Sequence, residues 1–159
     1  RSSLRPGPGR PSSVYTLAPR PSRLREPEET DLLSAVLTGL VAQLDDGAER
    51  AESAGRAWGR YLVTRPHPLT PVSDQDAIDE VTSLLDRQGF LPEVVGEEIH
   101  MHRCPFYDLA EKHPKIVCSV HLGLMAGALA ELGSRVTAHR MHAFVEPNLC
   151  VVALGRRPA

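Results

Sequence analysis

A chain of 159 residues, 42% of them hydrophobic, can bury one ordinary core and carry an appendage. Its formal net charge of -2 excludes a globally basic nucleic-acid binder, and no apolar run reaches the roughly eighteen residues of a membrane span. Three cysteines, an odd number, exclude a simple disulfide framework and leave free thiols, thiolate ligands or buried apolar cysteines.

The charge is unevenly spread. Residues 1–25 hold six arginines and no acid, whereas residues 26–86 hold 13 acids against four arginines. A basic arm before an acidic body points to an anionic partner near the N-terminus. The N-terminus has no signal-peptide core, so a cytoplasmic location is expected. Arg1 stands where a start methionine would be, which raises the expectation of an upstream part of the natural chain.

In chain order, residues 1–25 are too rich in Pro, Gly, Ser and Arg to bury an apolar face, apart from a short β-prone run from Val14 to Leu17. From Glu28 the spacing predicts a long helix, with Leu33, Val36, Leu37, Leu40, Val41 and Leu44 on one broad face. That face continues through Ala48, Ala51, Ala54 and Gly55 to Trp58, Tyr61 and Leu62, with a possible break near Gly47. Pro66 and Pro68 end it. This region, 26–66, reads as a linker and homodimerisation helix, because its apolar face is broad and its Ala and Gly stripe permits close helix approach.

Residues 67–159 read as an α+β domain, an antiparallel sheet packed by helices. Ser73 and Asp76 form a capping box; Ile78, Val81, Leu84 and Leu85 make a buried stripe; Gly89 stops the helix. Two short strands flank Gly96, the second over Ile99 to Arg103. Helices follow over Phe106 to His113 and Ile116 to Leu132, bent at Pro114 and ended by Gly133. A last hairpin, Val136 to Val145 and Leu149 to Leu154, turns at Glu146, Pro147 and Asn148.

The chemistry-bearing residues are Cys104, Cys118 and Cys150, with histidines around them. In an extended strand His100, His102 and Cys104 would share a face, and on a helix Cys118 and His121 would share one. Cys104 precedes Pro105 at a helix start, where free N–H groups favour a thiolate. Three soft thiolates with a histidine suit zinc or an iron–sulfur cluster rather than calcium or magnesium. His121 is the preferred fourth ligand and His102 the reserve; His113, His139 and His142 read as surface or core polar groups. The other reading of the cysteines is as small buried hydrophobes.

Two stretches carry a family resemblance. GPGRPSSVYTL resembles the wing of winged-helix, helix-turn-helix repressors of the ArsR and DeoR type. That implies a DNA-binding domain largely upstream, with Arg1, Arg5 and Arg10 near DNA. The region from His102 through Cys118 to Cys150 resembles the C-terminal domain of SufR-type regulators, which hold an iron–sulfur cluster on three cysteines. A looser likeness is to sensor domains related to 4-vinyl reductases. The resemblance implies a dimeric transcription regulator, not an enzyme, whose sensor domain binds a metal or cluster. The alternatives are a small-molecule-binding regulator braced by structural zinc, and a thiol enzyme using Cys118 with His121 or Cys104 as nucleophile.

Overall fold

The structure, a computed structural model, describes residues 29–156. The wing-like segment, the Val14–Leu17 run and Arg1, Arg5 and Arg10 lie outside these residues.

The fold is α+β, a four-stranded antiparallel sheet with helices. Helices α1 (Glu29–Ala42), α2 (Gly47–Leu62) and α3 (Asp74–Arg87) precede strands β1 (Pro92–Val95) and β2 (Glu98–Met101). Helices α4 (Tyr107–Lys112) and α5 (Pro114–Glu131) follow, then β3 (Val136–Glu146) and β4 (Leu149–Arg156). The sheet order is β1-β2-β4-β3, so the two hairpins join through β2 and β4, with Met101 opposite Cys150.

Helix α5 is the centre of the core. No charged residue falls between Lys115 and Glu131, and a helix apolar around its whole circumference must be covered around its whole circumference. One part packs on α2 and another on the sheet. Met125, Ala128 and Leu129 are completely buried, with Ile99 and Val152 on the inner face of the sheet and Val81 and Leu85 on α3. The α2–α5 contact is made by glycines. A Cβ on Gly55 or Gly59 would run into the carbonyls of Val120 and Leu124, and one on Gly123 or Gly127 into those of Glu52 and Arg56.

Several local expectations match the structure. Ser73 and Asp76 form both halves of the capping box on α3. Gly89 and Gly133 take φ of +87° and +78°, as helix stops with no Cβ penalty. Asp74, in the first turn of α3, accepts from the Ser134 hydroxyl at 2.9 Å and the Arg135 N–H at 2.8 Å, tying that turn to the start of β3.

The long helical region breaks near Gly47, as its sequence allowed. It is two helices separated by a turn over residues 43–46, where Gly47 N–H donates to the Leu44 carbonyl. The two halves also have different fates. The Ala and Gly stripe of α2, expected at a dimer contact, is spent within the chain: Ala51, Gly55 and Gly59 are buried, with Gly55 and Gly59 against α5, while Trp58 and Tyr61 stack on each other in solvent. The α1 half keeps its apolar face open. Among the described residues nothing covers Leu33, Val36, Leu37 and Leu40, each more than half exposed.

Candidate functional site

Beneath the sheet, Cys104, Cys118 and Cys150 line one enclosed cavity together with His121. Its other walls are Phe90, Met101, Arg103, Ala110, Met141 and Phe144, so the thiols face a largely apolar space. The free volume is about 10 Å³, room for the centre of one water-sized sphere. Each sulfur arrives from a different element. Cys104 comes from the loop after β2, Cys118 from the second turn of α5, and Cys150 from β4, where it pairs with Met101 at the end of β2. That pairing brings residues far apart in sequence together: the chain leaving Met101 reaches Cys104 three residues later, beside the strand that carries Cys150.

Burial dominates the electrostatics. Cys118 is pushed up to about 12, first by burial and then by the negative charge that Cys150 and Cys104 would carry as thiolates. Cys104 is also raised by burial, although the Phe106 backbone N–H opposes this. The expectation that a helix start would favour a Cys104 thiolate is therefore corrected. Helix α4 begins three residues later, at Tyr107, and desolvation outweighs the amide. In the ligand-free pocket the Cys104 and Cys118 thiols stay protonated at neutral pH.

His121 is 7% exposed and sits between two rings, edge-on to Phe90 with centroids 4.8 Å apart and tilted against Phe106 at 5.7 Å. Burial lowers its pKa from 6.5 to about 4, leaving a neutral imidazole whose one unprotonated nitrogen can donate to a metal. The sign of the linkage follows. Between these two values the unfolded chain binds a proton that the folded chain refuses, so this component of stability is present above pH 6.5 and is lost as pH falls towards 4. We expect the ligand-free protein to lose about 2–3 kcal/mol on this account between pH 7.5 and 4.5. Urea unfolding of the parent and of His121→Phe at both pH values isolates the effect; equal losses in the two proteins would contradict it.

His102 does not join the pocket. Strand β2 ends at Met101 and the chain bends before Cys104, so Cys104 leaves the face that His100 and His102 share. Ile99 and Met101 fill the core, while His100 and His102 alternate to the other face and pair with Glu98 at 2.9 Å and Glu93 at 3.0 Å. His139 and His142 are exposed on β3, and His113 is half-buried at the α4–α5 junction.

A thiophilic ion or cluster fits the donor chemistry of three thiols and one neutral imidazole in a water-poor cavity. Among the described residues, no three His, Cys, Asp or Glu side chains are already arranged to hold a metal ion. The sulfurs share a cavity without being drawn to one point, and a guest would have to gather them. A larger open groove of about 590 Å³ lies between the Pro66–Pro71 segment and the end of α5, but its acids are engaged. Glu131 is bound by Arg65, and Asp74 by Ser134 and Arg135.

Sequence reasoning missed the aromatic wall, Phe90 and Phe144 above all. Phe144 gives no periodic signal, because it lies in an irregular part of β3. Comparison with family models, with curated proteins and with solved structures finds no match. Among the described residues, no helix is long and apolar enough to cross a membrane.

Proposed function

We propose that residues 67–159 form the sensor domain of a transcription regulator and that Cys104, Cys118 and Cys150, with His121, bind a thiophilic metal ion or an iron–sulfur cluster. The observation that carries this is the shared cavity of three free thiols, supplied by three separate elements and walled by apolar side chains. Thiols placed for packing alone have no reason to line the same cavity from three elements, whereas a ligand site requires it. His121 supplies the fourth donor from the helical face of Cys118.

In this reading the ligand replaces protons. The Cys104 and Cys118 thiols, held neutral by burial, release protons as a cation takes their place, so occupancy changes the charge and packing of the pocket together. The sensor fold is read as one like those related to 4-vinyl reductases, and the DNA-contacting part as a winged helix mostly upstream, with Arg1, Arg5 and Arg10 near phosphate. Homodimerisation is assigned to α1 alone. Its exposed Leu and Val face is what a second copy would cover, and a 14-residue helix without tertiary packing is marginal in water. Regulation then requires that the ligand bind two conformations of the dimer with different affinity.

Anaerobic purification followed by visible spectroscopy and by metal and acid-labile sulfide analysis tests the proposal. The expected result is stoichiometric ligand, brown with sulfide for a cluster or colourless with one zinc, lost in Cys118→Ser. A protein that takes up neither zinc nor iron, with Cys118→Ser unchanged, would return the three thiols to a packing role. An enzymatic role for the thiols has less support, since buried, protonated cysteines are poor nucleophiles.

A further inference from the structure

We infer that the bulge in β3 is built around Cys150 and that Phe144 is the residue positioning this thiol in the pocket; the inference rests on the pocket being a thiolate-ligand site. Strand β3 pairs with β4 at His142 opposite Val151 and again at Glu146 opposite Leu149. Ala143, Phe144 and Val145 therefore stand against the single residue Cys150, a surplus that no regular ladder absorbs. The backbone takes it up at Phe144, with φ of +52°. A bulky side chain has no preference of its own for that region, so the surroundings hold it there.

What the unusual backbone achieves is visible in its contacts. The Phe144 N–H is turned onto Cys150 Sγ at 3.5 Å instead of joining the ladder. Its ring meets Tyr107 of α4 edge-on, with centroids 5.4 Å apart, and forms part of the pocket wall. One residue thus orients a sulfur and closes the cavity beside it. Cys104 has a parallel arrangement, receiving the N–H of Phe106. Partners of this kind orient a ligand atom without touching the metal, and their loss weakens binding by about 10–100-fold in well-studied sites.

Cadmium(II), a thiophilic ion whose NMR shift steps with each bound thiolate, is the probe. The parent is expected to give a three-thiolate signal. Phe144→Gly and Phe144→Asn accept a positive φ and should keep it. Phe144→Ile and Phe144→Val are β-branched, oppose that φ more strongly than phenylalanine, and should move to a two-thiolate signal with at least about tenfold weaker binding. A packing role gives the reverse order, because isoleucine fills space that glycine leaves empty. Three-thiolate signals at parental affinity in the Ile and Val variants would overturn the inference.

A second arm does not depend on whether those variants fold. In the ligand-free parent, Cys150→Ala should speed hydrogen exchange at the Phe144 amide at least about tenfold. No change would show that the amide is not held by the sulfur. A parent without any thiolate–cadmium signal would remove the ligand reading itself, while the exchange result would still decide whether Phe144 holds Cys150.

Discussion

Gly127→Ala is expected to destabilise the protein by about 3 kcal/mol, and Gly55→Ala by a similar amount. The direction is informative, because alanine in an unobstructed helix is favoured over glycine by about 1 kcal/mol. Here the new methyl group would enter the carbonyl of Arg56 in one case and of Val120 in the other. Both obstacles are main chain within helices, and no rotamer change can clear them. The helices must separate, which loosens every contact between α2 and α5 along with the burial of Ala51 and Leu124. Gly39 on α1 is the control, since nothing lies within 4 Å of its would-be Cβ, and alanine there should add about 0.5–1 kcal/mol. Urea unfolding followed by far-UV circular dichroism measures all three. A Gly127→Ala protein as stable as the parent would mean that α2 and α5 do not approach as closely as described.

The same glycines show how much the sequence reveals and where it stops. Gly55 with Gly59, and Gly123 with Gly127, each stand four residues apart on one helical face, a spacing that announces close helix approach. It does not say which helices approach. A small-residue stripe serves a second copy and a neighbouring helix equally well, and only tertiary structure directs α2 onto α5. Signals that act within one turn were readable for the opposite reason: the Ser73–Asp76 box and the stops at Gly89 and Gly133 depend on groups a few residues apart.

At the candidate site, Cys118 and His121 were legible together because helical spacing places them on one face. The strand argument for His102 failed because the bend between Met101 and Cys104 takes Cys104 off the face that His102 keeps with His100. The helix-start argument for Cys104 failed on magnitude. A local amide was weighed without the desolvation that only the folded pocket imposes. Phe144 was invisible, since a bulge obeys neither a period of two nor one of 3.6.

The largest functional effect is expected from Cys118→Ser, which removes the sulfur carried by the rigid central helix. Cys104 sits on a loop and can adjust, but Cys118 is fixed by the packing of α5 against both α2 and the sheet. A hydroxyl there cannot replace a soft thiolate, and the remaining donors leave the ion open to water. X-ray absorption at the edge of the bound metal counts its sulfur neighbours and is the most direct test that the three cysteines act as one site. For zinc, we expect three sulfurs at about 2.3 Å and one nitrogen in the parent, and no more than two sulfurs with at least about tenfold weaker binding in Cys118→Ser. For a cluster, the iron edge should show sulfur neighbours that disappear with the Cys118 thiol. A metal surrounded only by nitrogen and oxygen, or a sulfur count unchanged by Cys118→Ser, would contradict the account.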